Sequence, residues 1–343
     1  MSEEKRTEIG DLGEFGLIDK ISEEVRIYHP ETVKGIGDDA AVFDMGDSLM
    51  VISTDMLLEG VHFDLSYMPL QHLGYKIVAV NVSDIAAMNA TPKQITVNIG
   101  LSNRFSLEAV ELLYEGVRAA CEAFKVDLVG GDTTASQAGL VLSVTVTGTV
   151  PKDQITYRSE AKKGDILCVT GDLGAAYVGL QVLAREKQEF LGNPDMQPKL
   201  DQYSYVVGRQ LRPVARMDII HELADKQIKP TSMIDVSDGL ASEVFHLCKQ
   251  SGLGAAIYED KLPIDKEAYE TAAEFSLDPN MCALNGGEDY ELLFTISQED
   301  FEKIKNHADI HTIGYMQEKE KGKALVTRGG NVVELQAQGW KHF

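Results

Sequence analysis

Gly35-Ile36-Gly37-Asp38-Asp39-Ala40 is the stretch that decides between two folds. On paper it fits G-x-G-x-x-A, the glycine fingerprint of a dinucleotide-binding unit, which requires a strand before it and a helix after it. Here a polar loop containing Pro30 comes first. Two strand-like runs follow, residues 40–43 and 49–53, joined by the turn residues Asp44-Met45-Gly46-Asp47. The Rossmann reading is therefore rejected. Gly35 and Gly37 instead allow a tight turn that presents Asp38 and Asp39, with an ordinary Gly-Asp turn as the plainer alternative.

Outward from this corner the chain alternates helical and strand patterns. Apolar spacing predicts helices over residues 13–28 and 69–89, and from the N-cap Ser106 to residue 124. Strands are expected at 94–101, 127–129 and 140–150. Residues 151–164 are polar and turn-rich, so a boundary is placed there, giving domains at residues 1–153 and 154–343. The second half restarts with a strand at 166–170 and a helix after Gly174. A polar loop over 186–200, with Pro194 and Pro198, reads as an exposed insertion. Helices near 203–211, 214–225, 240–252, 266–275 and 300–307, a strand and turn over 233–239 and strands near 255–258 and 290–296 follow, with a final strand pair turning at Gly329-Gly330. No clean βαβ repetition emerges, so the expected class is α+β with two mixed domains.

Aspartate recurs on short Gly- or Ser-flanked corners: Asp38-Asp39, Ser53-Thr54-Asp55, Ser83-Asp84, Gly130-Gly131-Asp132, Asp235-Val236-Ser237-Asp238-Gly239 and Gly286-Gly287-Glu288-Asp289. Asp55 ends a buried-looking strand, where a carboxylate is costly unless a cation meets it. Asp84 lies in an otherwise apolar helix, where a solvated face explains it poorly; a buried Asp bonded to backbone or to Ser83 is the alternative. Asp132 follows a strand, in a turn that could also offer N–H groups to phosphate. Asp235 and Asp238 flank a strand-to-helix transition, which simple capping also explains. Jointly, rigid elements aiming carboxylates at one region suggest a cage for hard divalent cations, and Mg²⁺ normally comes with polyphosphate. No P-loop, protein-kinase signature or H-E-x-x-H zinc motif occurs. What remains is metal-assisted phosphate chemistry.

The 343 residues carry a net charge of −22, which argues against nucleic acid or an anionic membrane as partner. Hydrophobic runs are too short to span a bilayer, and the polar N-terminus lacks a secretory pattern. The four cysteines are scattered, with no CxxC pair, which suits reduced thiols in a cytoplasmic protein.

At these residues the chain resembles the thiamine-monophosphate kinases, of the superfamily typified by aminoimidazole ribonucleotide synthetase. The likeness runs nearly end to end, through Gly13-Glu14-Phe15, Gly35–Ala40, Ser53-Thr54-Asp55, Gly60-Val61-His62-Phe63, residues 81–88 and Gly130-Gly131-Asp132-Thr133-Thr134. It continues through Arg212-Pro213, Asp235–Gly239, Gly286–Leu292 and Gly339-Trp340. The resemblance implies Mg²⁺-dependent transfer of the ATP γ-phosphoryl group to thiamine monophosphate, and a homodimer joined through N-terminal sheets. By motif, it implies metal ligation by Asp39, Ser53, Thr54, Asp55, Asp84, Asp132, Asp235 and Asp238. Nucleotide contacts would come from Tyr114, Gly131, Asp132, Arg158 and Ser237, and substrate contacts from His62, Glu288 and Trp340. Lys341 stands where the family usually has Asp.

The implied reaction needs no general base, because a phosphate monoester has its second pKa near about 6 and is already anionic. Trp340 could stack on a cationic ring or anchor the tail on the core. His62 could bond a pyrimidine or sit on the surface. Glu288 follows two glycines that permit close approach, though a capping carboxylate is also possible. Two rivals stay open: another ATP-dependent enzyme of the superfamily, of the aminoimidazole ribonucleotide or selenophosphate synthetase type, and a non-catalytic thiamine-phosphate or metal-binding protein.

Overall fold

In the computed structural model, residues 9–137, 139–195 and 197–338 are described. The first half comprises α1 (Ile9–Ser22), β1 (Thr32–Lys34), β2 (Ala41–Asp44), β3 (Leu49–Leu58), α2 (Leu70–Ala87), β4 (Thr91–Leu101), α3 (Leu107–Phe124), β5 (Asp127–Gly130), β6 (Thr133–Ala135) and β7 (Val141–Val150). The second comprises β8 (Ile166–Thr170), α4 (Ala175–Gly192), α5 (Ser204–Leu211), α6 (Met217–Asp225), β9 (Ser232–Asp235), α7 (Leu240–Ser251), β10 (Gly254–Tyr258), α8 (Lys266–Glu274), α9 (Pro279–Asn285), β11 (Leu292–Ile296), α10 (Gln298–Ile304), β12 (Ile310–Gln317), β13 (Lys323–Val326) and β14 (Val332–Glu334).

Two mixed sheets result. One runs β1-β2-β3-β7-β4-β5 with β6 also on β4, and the other β14-β13-β10-β12-β8-β11-β9. The fold is α+β, because long antiparallel ladders such as β3–β7 and β4–β7 dominate and parallel pairs are few. Strand alternation sorts the first sheet into two faces. On β7, every second residue from Leu142 to Val150 is buried against the helical layer, and the residues between them face the other way, partly exposed.

The helix that organises the molecule is α2. It packs on β3, β4 and β7 of the first sheet and also reaches β9 of the second. Nearly its whole circumference is buried, including Lys76, Asn81 and Ser83. A helix apolar on all sides belongs in a core, and polar residues placed on one need partners there. Its contact with α3 is unusually close for a specific reason. A β-carbon on Gly74 would lie 1.9 Å from the Leu113 carbonyl oxygen, and one on Gly116 would lie 1.9 Å from the Gln71 carbonyl oxygen. Backbone therefore meets backbone at two reciprocal points.

Three local expectations are revised. Expected over 13–28, the first helix stops at Ser22 and kinks at Gly13, whose φ of 68° breaks the helical path. The expected loop at 186–200 is helical to Gly192, because buried Glu186 accepts from the Lys199 N–H and pairs with Arg185. Pro279–Asn285, unassigned from the pattern, is a helix capped by Asp278 with Pro at its first turn. No helix among the described residues is long and apolar enough to cross a membrane.

The reciprocal glycines yield a test. Gly74→Ala or Gly116→Ala forces α2 and α3 apart and is expected to cost about 1–3 kcal/mol. Denaturant unfolding measures it, and a loss below about 0.5 kcal/mol shows that the helices can separate freely.

Candidate active site

Three elements distant in sequence deliver carboxylates to one place. Asp39 ends the glycine turn before β2, Asp84 lies in the last turn of α2, and Asp235 closes β9. One oxygen from each lies within 4.8 Å of the other two, and Asp39 and Asp235 are buried. Ser53 donates to Asp84 Oδ2 at 2.6 Å, and Ser83 donates to Asp235 Oδ2 at 2.6 Å. Asp39 is gripped by Arg158, with Nε donating to Oδ2 at 3.0 Å and Nη2 to Oδ1 at 2.6 Å. Asp38, behind it, accepts from the Arg158 N–H at 3.1 Å.

Burial and mutual repulsion act together on these groups. Burial is the main reason that the Asp84 carboxyl is pushed well above the usual range, with Asp55, Asp235 and Asp39 adding to it. Asp235 is raised to about 7, chiefly by burial and then by Asp39, against the pull of Ser83 and Arg158. Burial likewise lifts Asp55 to about 6. Arg158 is the single cation bonded to the cluster among the described residues.

A cavity of about 1140 Å³ opens beside the cluster, between the two halves. Asp55, Asp84, Asp235, Ser237 and Asp238 line it, as do His62 and Glu288. Seven of the residues singled out from the sequence thus share one space. The Leu58 N–H donates to His62 Nδ1 at 3.1 Å, which fixes the ring. Glu288 sits in a left-handed conformation, φ 59°, after Gly287 at φ 72°, and its N–H donates to the Ser237 carbonyl at 2.7 Å. That backbone bond joins the Gly286–Leu292 motif to the Asp235–Gly239 corner. Side-chain bulk at Gly287 would meet the Ser237 carbonyl at 2.6 Å, so the turn depends on glycine.

Other expected residues lie elsewhere. Thr54 is exposed on the opposite face of β3, its hydroxyl donating to the Val144 carbonyl at 2.9 Å, because neighbours along a strand point to opposite sides. Its side chain cannot join a set that includes Ser53 and Asp55. Gly131 and Asp132 are also exposed, and Asp132 lines a separate cavity of about 250 Å³ with Asn98 and Ser143. They do not meet the cluster, since β7 and β4 stand between β3 and their corner. Tyr114 is partly buried on α3 and lines neither cavity. Trp340 and Lys341 lie outside the described residues.

Several contributors escaped the sequence reading. Ser83 was weighed only as a partner for Asp84, whereas its bond goes to Asp235 in the other half. Lys76 reads as a solvated residue until its helix is known to be buried all round; nothing signalled Gln210. Two motif residues prove architectural. Asp289 accepts from the Gly174 N–H at 2.8 Å at the start of α4, and Glu291 pairs with Arg216 at 2.6 Å and Arg209 at 2.9 Å.

Comparison with known proteins places this geometry. Residues 37–150 match the family model of AIR synthase related protein, N-terminal domain, and residues 162–327 the corresponding C-terminal domain. Thiamine-monophosphate kinase of Bacillus subtilis is 35% identical over 340 residues, 97% of this chain and 100% of that protein. The Aquifex aeolicus protein of the same name is 34% identical, covering 97% and 99% of the two chains. A solved structure of AaThiL complexed with AMPPCP and TMP superposes with a TM-score of 0.83 at 32% identity, covering 99% of this chain and 100% of that one. Hydrogenase maturation protein HypE in complex with ATP, at 18% identity and a TM-score of 0.68 over 90% of each chain, shares the fold. The chain belongs to the AIR synthase related family and, within it, to the thiamine-monophosphate kinases.

Proposed function

We propose that this chain transfers the γ-phosphoryl group of ATP to thiamine monophosphate, giving thiamine diphosphate and ADP. The observation that carries the reading is the convergence of Asp39, Asp84 and Asp235 beside a cavity whose wall also holds His62, Ser237, Asp238 and Glu288. The thiamine-monophosphate kinases of Bacillus subtilis and Aquifex aeolicus match over nearly their whole length, and a solved AaThiL is complexed with AMPPCP and TMP.

The cluster fits a hard divalent cation. Its donors are all oxygen, two of the three carboxylates are buried and the third partly so, and their repulsion is relieved by one guanidinium and two hydroxyls only in part. Asp39, Asp84 and Asp235 would hold Mg²⁺, with Ser53, Asp55 and Asp238 next to them and Thr54 able to contribute only through its main chain. When bound, Mg²⁺ neutralises polyphosphate charge that an acidic protein otherwise repels. Ser237, in the corner between β9 and α7, and Arg158 are assigned to the nucleotide. His62 and Glu288 receive the thiamine end, and Trp340 is kept as a stacking candidate. The acceptor is a phosphate oxygen, ionised at neutral pH, so positioning replaces deprotonation. Attack in line forms the new O–P bond as the bond from the γ-phosphorus to the β-phosphate oxygen breaks, and ADP leaves with that electron pair.

We further assign a homodimer joined through the first sheet. Among the described residues its outer face is partly exposed, with Met56 55% exposed, and Val129 at its edge is 60% exposed. The Gly131–Asp132 corner and Tyr114, remote from the cluster of their own chain, then serve the nucleotide site of the second copy. In this division residues 1–153 carry most metal and dimer contacts, and residues 154–343 complete the site. The four unpaired cysteines suit the cytoplasm.

Asp84→Asn is expected to lower turnover at least about 100-fold while the protein stays folded. Near-normal turnover at limiting Mg²⁺ removes Asp84 from the metal set. Carboxyls raised in the folded state bind more protons there than when unfolded, so without divalent cation Tm should fall from about pH 5 to about pH 8. Mg²⁺ should raise Tm more at the higher pH, where the ligands are ionised; an equal rise at both contradicts the assignment. Mixing inactive Asp84→Asn with inactive Asp132→Asn tests the shared site. Random pairing leaves one intact site in each mixed dimer, restoring about a quarter of wild-type activity. No recovery places Asp132 in its own chain's site.

A further inference from the structure

Lys76 is the largest fully buried side chain among the described residues, at 1% exposure, and no site residue so far assigned explains it. A buried ammonium costs far more than an apolar residue of the same volume unless it is paired. Its Nζ lies 3.1 Å from Glu288 Oε1 and donates to the Gln210 carbonyl at 3.0 Å. Gln210 in turn donates from Nε2 to Glu288 Oε2 at 2.6 Å. Both oxygens of the Glu288 carboxylate are thus held, one from α2 and one from α5. Gln210 Oε1, in a residue 3% exposed that lines the cavity, has no hydrogen-bond partner among the described residues.

The position of Lys76 along α2 matters as much as its bonds. Val80, Ser83 and Asp84 follow it at four, seven and eight residues, the spacing of one helical face. Val80 and Asp84 line the cavity. One rigid helix therefore anchors Glu288 at one point and supplies a cluster carboxylate about 12 Å further along its axis.

We infer that Lys76, with Gln210, is a positioning residue for the substrate: it fixes the Glu288 carboxylate in register with the Asp39–Asp84–Asp235 cluster, so that α2 sets the distance between ring recognition and phosphoryl transfer. The inference rests on the assignment of Glu288 to the thiamine end. The fixed carboxylate presents acceptors to the ligand, so the group it selects carries hydrogen-bond donors or positive charge. Thiamine offers both, in its exocyclic amine and its cationic thiazolium.

Steady-state kinetics on Lys76→Met, Gln210→Leu and Glu288→Gln, with thiamine monophosphate, ATP and Mg²⁺, tests this. Lys76→Met is expected to raise the KM for thiamine monophosphate about ten- to a hundredfold, with kcat and the KM for ATP within about threefold of wild type. A merely structural lysine predicts instead a fall in kcat and in Tm with both KM values rising together, and that result overturns the inference. If Glu288→Gln raises the KM for thiamine monophosphate and Lys76→Met does not, the positioning role fails while the Glu288 assignment stands. If Glu288→Gln leaves it unchanged, the Glu288 assignment itself is wrong and the positioning role falls with it. Should Lys76→Met not fold, Gln210→Leu carries the same split, with an unchanged KM for thiamine monophosphate overturning the proposal. The double variant Lys76→Met/Glu288→Gln, which leaves no unpaired buried charge, should recover Tm without recovering that KM; recovery of both overturns it.

Discussion

Negative charge gathered out of water is the constraint around which this molecule is arranged. Asp39, Asp84 and Asp235 come from a turn, a helix and a strand end, two from one half of the chain and one from the other. Each is separately expensive to bury, and together they repel one another. The neighbouring side chains are legible as answers to that cost. Ser53 and Ser83 each give a hydroxyl to a carboxylate, and Arg158 binds Asp39 through two nitrogens. The imbalance that remains is of the kind a hard divalent cation would relieve, which is the ground for the metal assignment proposed above.

Around this site, α2 does the spatial work. A helix buried by two sheets has no freedom to tilt without disturbing both, and its backbone is locked to α3 through Gly74 and Gly116. Groups mounted on it therefore share one packed backbone, which suits phosphoryl transfer, where positioning and charge neutralisation supply most of the rate. The motif at Gly286–Leu292 shows the same economy. Glu288 faces the cavity, while Asp289 and Glu291, one and three residues later, are consumed in capping α4 and in the Arg209–Arg216 ion network. Cavity lining and structural support alternate along one short turn.

A phosphate acceptor explains why such a site can lack a dedicated proton acceptor. An alcohol must lose a proton to become a nucleophile, whereas a phosphate monoester is ionised already, and the obstacle becomes the meeting of two anions. The residues that matter are then those that lower repulsion and fix distance. The structure is rich in both.

The sequence alone determined a good deal. The strands after Gly35–Ala40 excluded a dinucleotide fold, the absence of βαβ repetition gave the α+β class, and recurring Asp on turn corners marked the carboxylates that converge, because turn chemistry and periodicity are local properties. Asp39, Asp84 and Asp235, and the cavity residues His62, Ser237, Asp238 and Glu288, were all legible from motifs. Long-range relations were not. That Thr54 faces away from Ser53 and Asp55 depends on which face of β3 is covered, and that Asp132 stands apart depends on strand order. The kink at Gly13 and the burial of Glu186 turn on packing that local pattern does not encode. Ser83 bonded to Asp235 spans 152 residues of sequence, and Lys76 is distinguishable from a surface lysine only once both sheets close over α2. Tertiary structure alone decides such pairings, because burial converts an ordinary polar side chain into one that must find its partner.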